Sequence, residues 1–160
     1  MPFIALIIGA VVALFDQIIK YFVSTDLQPI GSVNIIDGLF KLTYVENRGV
    51  AFGMFTDMRW IFVVLTSAML AVIIIYMFTK RPYGKFFYIS AGLIIGGGIG
   101  NLIDRVFYGY VIDYLSISFV PPVCNFADYC ITAGTIMLIV YLLFFSDMSK
   151  DTKRIEKSNG

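Results

Sequence analysis

The chain has 160 residues, of which 59% are hydrophobic and only 14% charged, against about 45–50% and about 25% in an ordinary soluble domain. A water-soluble domain of this length cannot hide so much apolar surface, so lipid is the solvent for most of it. With a net charge of +1, no histidine and no basic tract, the usual signatures of nucleic-acid binding and of histidine-dependent catalysis are missing, and any chemistry falls to carboxylates, amides, hydroxyls, Lys and Arg.

Four stretches approach the roughly 20 apolar residues that a membrane-crossing helix needs: 3–23, 60–78, 86–103 and 129–145. No repeat or low-complexity linker separates them, so residues 1–160 are expected to form a single integral membrane domain. The first stretch lacks a positively charged leader and carries Asp16, Gln17 and Lys20 where a cleavage region would stand, so it is expected to be retained as a span. Asp16 and Lys20 are four residues apart and share a helix face, which Gly9 and Ala13 extend. The simpler reading is a structural ion pair beside a close helix contact; the alternative is direct participation in chemistry.

In the connection after this span, Val33–Ile36 and Leu39–Val45 flank Asp37-Gly38, a pair favoured in tight hairpin turns. A small antiparallel sheet is expected there. The short connection between the second and third spans holds Lys80, Arg81 and Lys85, and the tail holds Lys150, Lys153, Arg154 and Lys157. The two longer connections hold only Lys41, Arg48, Arg59 and Arg105. Positive charge marks the cytoplasmic side, so both termini are expected inside and the sheet outside.

The third span carries Gly96, Gly97, Gly98 and Gly100 ahead of Asn101, Asp104 and Arg105. The glycines alone indicate only a tight helix contact. The three polar residues are spaced to lie near one another at the outer helix end, where a structural network and a polar site explain them equally well. An ionisable group in a membrane segment costs about 2.5–3.5 kcal/mol on insertion scales, so each one needs a partner or a function.

Two further carboxylates, Asp113 and Asp128, bracket the second long connection. Asp128 follows Asn125-Phe126-Ala127, which by itself reads as a helix N-terminus with Asn125 as cap. Returned to one depth beside Asn101, Arg105 and Asn125, the two carboxylates can instead share one proton and supply an acid and a base for hydrolysis. Cys124 and Cys130 fit neither a disulfide framework nor a metal site, and read as small apolar residues.

Five motifs in order now carry a resemblance: Asp16-Gln17-Ile18-Ile19-Lys20, Asn47-Arg48-Gly49-Val50-Ala51-Phe52, Gly97-Gly98-Ile99-Gly100-Asn101-Leu102-Ile103-Asp104-Arg105, Val111-Ile112-Asp113 and Asn125-Phe126-Ala127-Asp128. Over nearly its whole length the chain resembles the lipoprotein signal peptidases (signal peptidase II), aspartyl proteases of bacterial membranes. The resemblance implies a multi-pass protein of the cytoplasmic membrane, with four transmembrane helices and an extracytoplasmic β element. It makes Asp113 and Asp128 the catalytic pair, with Asn47, Asn101, Arg105 and Asn125 lining or supporting the site, and leaves Asp16, Lys20 and Asp104 as structural polar residues. The implied reaction removes the signal peptide from a diacylglyceryl-modified prolipoprotein, just before the lipidated cysteine, with no metal or organic cofactor. Membrane lipids and that substrate are the expected partners, nucleic acid is not, and a monomer is expected. Pro121, Cys124 and Tyr129 depart from the family pattern at the rim of the site.

The hairpin and the 47–52 segment of the first long connection are expected to act as a movable cover, since Gly49 and Gly53 relax the backbone around Phe52 and the Asp37-Gly38 hairpin is small; the alternative is a static surface sheet packed on the helix ends. A small proton-linked transporter or channel is the rival reading, because intramembrane ionisable groups also mark ion pathways. That class should gather them near the midplane, in broken helices or repeats. A noncatalytic scaffold would leave Asp113 and Asp128 replaceable.

Overall fold

The computed structural model describes residues 1–49 and 59–145. Helix α1 (Pro2–Phe22) runs on through a single π-helical turn over Val23–Leu27; strands β1 (Ser32–Ile36) and β2 (Phe40–Asn47) follow, then α2 (Arg59–Lys80) and α3 (Lys85–Phe107). Strands β3 (Val111–Ile117) and β4 (Val120–Cys124) lead into α4 (Phe126–Phe144). All four expected spans are therefore helices long and apolar enough to cross a membrane. The third extends about a turn further than expected, and the fourth starts three residues earlier.

Helix α3 is the hub. Two thirds of its spanning window is buried inside the protein (67%), against 28%, 11% and 22% for α1, α2 and α4, so the other three helices turn most of their surface to lipid. Phe3, Val64 and Leu143 are among the exposed side chains. In lipid the approach of helices rests on close packing rather than on the hydrophobic effect, and small residues permit it. At Gly96 a Cβ would stand 2.6 Å from both the Gly9 carbonyl oxygen and Val12 Cβ, so α1 and α3 meet almost backbone to backbone.

At one end of the bundle, Ala5, Met77, Phe87, Tyr88, Ala91 and Tyr141 form a core drawn from all four helices. The opposite end carries the sheet, four antiparallel strands in the order β1-β2-β3-β4. The β1–β2 hairpin turns through Asp37–Leu39, as the Asp37-Gly38 pair predicts. The second connection, read as loop plus helix cap from sequence, adds two more strands. Strand β3 pairs with β2 (Val45 opposite Asp113, Asn47 opposite Val111), so the two long connections form one layer. Val23 and Leu27 from the end of α1 pack with Ile112 and Tyr114 beneath that layer, fixing the sheet to the helices. The 47–52 cover falls, from Val50 onward, outside the described residues, as do the basic residues of the tail.

Candidate active site

The first backbone N–H groups of any helix lack partners within it. At α4 three separate elements supply them. Asn125 is the N-cap: its Oδ1 accepts the Asp128 N–H (2.9 Å), while Asp128 Oδ2 accepts the Asn125 N–H (3.2 Å), a reciprocal capping box. The Ala127 N–H donates to Asp16 Oδ1 on α1 (3.1 Å), and the Phe126 N–H to Tyr114 Oη on β3 (3.2 Å). The turn that carries Asp128 is thus held from α1 and β3 as well as by its own cap.

Asp113 arrives on β3. It is 2% exposed, and it receives one N–H on each carboxylate oxygen: Asn47 Nδ2 donates to Oδ2 (2.8 Å), Asn125 Nδ2 to Oδ1 (2.6 Å). Asn47 lies two residues from Val45, which faces Asp113 across the β2–β3 pair, so it reaches the carboxylate along the diagonal of that pair. Asp128 is provided for in the same way, with Asn101 Nδ2 on Oδ1 (2.7 Å) and the Asn125 backbone on Oδ2. Asn125 Nδ2 also donates to Asn101 Oδ1 (3.0 Å), so two amides link the two carboxylates. Burial pushes the Asp113 carboxyl up to about 6, and the charge of Asp128 adds to this; the Asn47 and Asn125 donors and the Lys20 ammonium oppose it. Asp113 is therefore poised to hold or release a proton near neutrality. Asn47 and Asp128 are partly exposed and mark the open side of the site.

Behind the amides lies a buried ionic cluster. Lys20 Nζ is 2.8 Å from Asp16 Oδ2, 2.8 Å from Asp104 Oδ2 and 3.0 Å from Asn101 Oδ1. Gln17 Nε2 donates to Asp104 Oδ1 (2.9 Å) and the Gly100 carbonyl (3.2 Å), and Asp104 Oδ2 accepts the Ile112 N–H at the start of β3 (3.1 Å). Buried charges persist only when paired and hydrogen-bonded, and each of these is. Gly100 makes room for the cluster: a Cβ there would stand 2.5 Å from Asp16 Oδ2. A cavity of about 210 Å³ opens on the far side of Lys20 and Asp104, walled by Tyr21, Ser24, Gln28 and Tyr44.

Asn47, Asn101, Asn125, Asp113 and Asp128, singled out from sequence, are thus brought into one hydrogen-bonded group. Asp16, Lys20 and Asp104 form an ion cluster against it. The Asn101, Asp104 and Arg105 neighbourhood expected on α3 fans out: Asn101 faces the carboxylates, Asp104 faces α1, and the Arg105 guanidinium sits 5.5 Å from the Phe62 ring centre while donating to the Asn101 carbonyl (3.4 Å). Sequence reasoning assigned no role to Tyr114 or Gln17. Gln17 stands inside a recognised motif, which is a signal; Tyr114 next to Asp113 has none beyond proximity.

Taken together, a four-helix membrane bundle and a largely buried carboxylate pair bridged by amides define a polytopic membrane protein with an enzyme-like centre. A bacterial membrane enzyme solved by the in meso method at 2.3 Å resolution has this fold, with a TM-score of 0.80 and 30% identity over 87% of each chain. The signal peptidase (SPase) II family model matches residues 8–144, and the chain belongs to that family. It is 44% identical over 141 residues to a lipoprotein signal peptidase of Caldanaerobacter subterraneus subsp. tengcongensis (88% of this chain, 96% of the relative). It is 43% identical over 136 residues to that of Halothermothrix orenii (85% and 92%).

Proposed function

We propose that the protein is a membrane aspartic endopeptidase that removes the signal peptide from diacylglyceryl-modified prolipoproteins, cutting just before the lipidated cysteine. The observation that carries this reading is the pair Asp113 and Asp128, joined through the side-chain amides of Asn125 and Asn101 with one N–H on every carboxylate oxygen. Membership of the signal peptidase II family supports the substrate class.

In the mechanism the pair carries one proton. Asp113, whose pKa burial raises, holds it, and Asp128 is the base. Asp128 takes a proton from water as the oxygen attacks the scissile carbonyl; Asp113 donates a hydrogen bond to the developing oxyanion and assists protonation of the departing amine. Because the two groups titrate as a unit, these roles describe the dominant arrangement of the pair. The asparagine donors hold both carboxylates still, so little reorganisation accompanies the charge movement.

A diacylglyceryl anchor holds the substrate cysteine at the membrane surface, so lateral diffusion and anchoring supply much of the positioning. The basic Lys80–Lys85 turn lies at the end of the bundle opposite the sheet, which supports cytoplasmic termini and an extracytoplasmic site. The four helices form one domain around α3 and work as a monomer. The test is to give the purified protein one precursor with and without its diacylglyceryl group. Cleavage confined largely to the lipidated form is expected; equal turnover of both contradicts the anchored mechanism.

A further inference from the structure

We propose that Lys20 is a positioning residue for the carboxylate pair: its ammonium fixes the direction of the Asn101 amide, and with it the donors aimed at Asp128 and Asp113. The proposal rests on the proteolytic reading above. Lys20 is 2% exposed, and its Nζ has three protons and no acceptor. Two of those protons meet Asp16 and Asp104, whose two charges outweigh that of the ammonium; the third goes to Asn101 Oδ1 at 3.0 Å. That third bond satisfies the last donor of a buried ammonium and gives Asn101 Oδ1 a cation to face.

A side-chain amide presents an oxygen at one edge and two N–H groups at the other, and rotation by half a turn exchanges them. A reversed Asn101 would aim its oxygen at the Asp128 carboxylate, and its N–H groups at an ammonium that cannot accept. Lys20 forbids that orientation. With Asn101 Oδ1 turned inward, the Asn101 Nδ2 reaches Asp128 Oδ1 (2.7 Å), and the same oxygen accepts one N–H of Asn125 (3.0 Å) whose other goes to Asp113 Oδ1 (2.6 Å). Asn125 cannot reverse either, because its Oδ1 is the cap of Asp128. The cation thus sets the Asn101 amide, the helix cap sets the Asn125 amide, and the two amides together set the carboxylates. A donor bound to a charged group also polarises the amide it meets and strengthens the bonds beyond it.

Among the described residues, the ionisable groups around this relay include Asp16 on α1, Tyr44 on β2, Asp104 and Arg105 on α3, Tyr114 on β3, Cys124 on β4 and Cys130 on α4. The Lys20 charge opposes protonation of Asp113. Its removal must therefore move the titration of the pair to higher pH.

The experiment combines Lys20→Met with Asp104→Asn, which leaves the cluster at its wild-type total charge, and repeats it with Lys20→Gln and Asp104→Asn. Folding is followed by thermal melting in detergent, and cleavage of a diacylglyceryl prolipoprotein as kcat and KM across pH. Relative to wild type, a fall in kcat of about tenfold or more is expected, with KM little changed. Wild-type kcat in a folded charge-matched variant, or a loss confined to KM, would overturn the proposal. So would failure of both charge-matched variants to fold, which would make Lys20 a residue of architecture. Asp113→Asn and Asp128→Asn run in the same assay separate the two layers. If they stay active, the proteolytic reading has failed; if they are dead while the Lys20 variants are normal, only the relay has failed.

Discussion

Asp16, in the first helix, accepts the backbone N–H of Ala127 in the first turn of the last helix at 3.1 Å, across 111 positions of sequence. This one bond ties the start of the chain to the turn that carries Asp128. It also explains why Asp16 stands in a membrane span with no lipid-facing surface.

The cluster of Asp16, Lys20 and Asp104 holds two carboxylates and one ammonium, so Asp16→Asn leaves a neutral pair, but its single amide oxygen can meet either the Ala127 N–H or the Lys20 ammonium, not both. Asp16→Ala strips that N–H of its partner inside the protein, at a cost of about 1–3 kcal/mol. Thermal melts in detergent should rank wild type highest, Asp16→Asn below it and Asp16→Ala lowest. Equal melting of the two variants would mean that the cap contributes nothing.

Asn125 combines two tasks that substitutions can separate. Asn125→Ser keeps a cap acceptor and should hold the stability of α4, but it lacks the amide donor that reaches Asp113. Asn125→Ala loses the cap as well, worth about 1 kcal/mol. Both should lose about a hundredfold or more in kcat, the scale of removing one fixed donor from a reacting centre, whereas only Asn125→Ala should melt early.

The pH profile follows from the proton on Asp113. With its pKa raised to about 6, the acid form is lost as pH rises through that value, so kcat/KM of the free enzyme should fall on the alkaline side with a midpoint near 6. The Asn47 donor stabilises the ionised carboxylate. Asn47→Ala should therefore raise the pKa and carry the alkaline limb to higher pH, even as the maximal rate drops. An unmoved or lowered midpoint would remove Asp113 from the role of acid.

Much of this arrangement is legible in the sequence for definite reasons. Length and apolarity alone determine the four spans, and Asp37-Gly38 marks the hairpin. The polar residues of the site stand out because lipid penalises them. Strand β3 does not stand out: Val111, Ile112, Asp113 and Tyr114 are all buried, so the alternation that identifies a half-exposed strand is absent. Strand β4 contains Pro121-Pro122, which argues against a strand, and is tolerated because β4 is the sheet edge. The roles of Tyr114 and Gln17 depend on partners in other elements, and no local pattern encodes such partners.

Orientation is open to a direct measurement. In a background without Cys124 and Cys130, a cysteine at position 84 should react with an impermeant reagent only from the cytoplasmic side, and one at position 38 only from outside. The reverse pattern would place the site on the wrong face for an exported precursor.

The central claim is that Asp113 and Asp128 perform the cleavage, and the most direct test is the turnover of a diacylglyceryl prolipoprotein by purified Asp113→Asn and Asp128→Asn proteins of verified fold. Each amide keeps the size of the side chain it replaces while removing its ability to exchange a proton, so cleavage should fall by at least about a thousandfold with melting little changed. Processing at the wild-type rate by either folded variant would contradict the account.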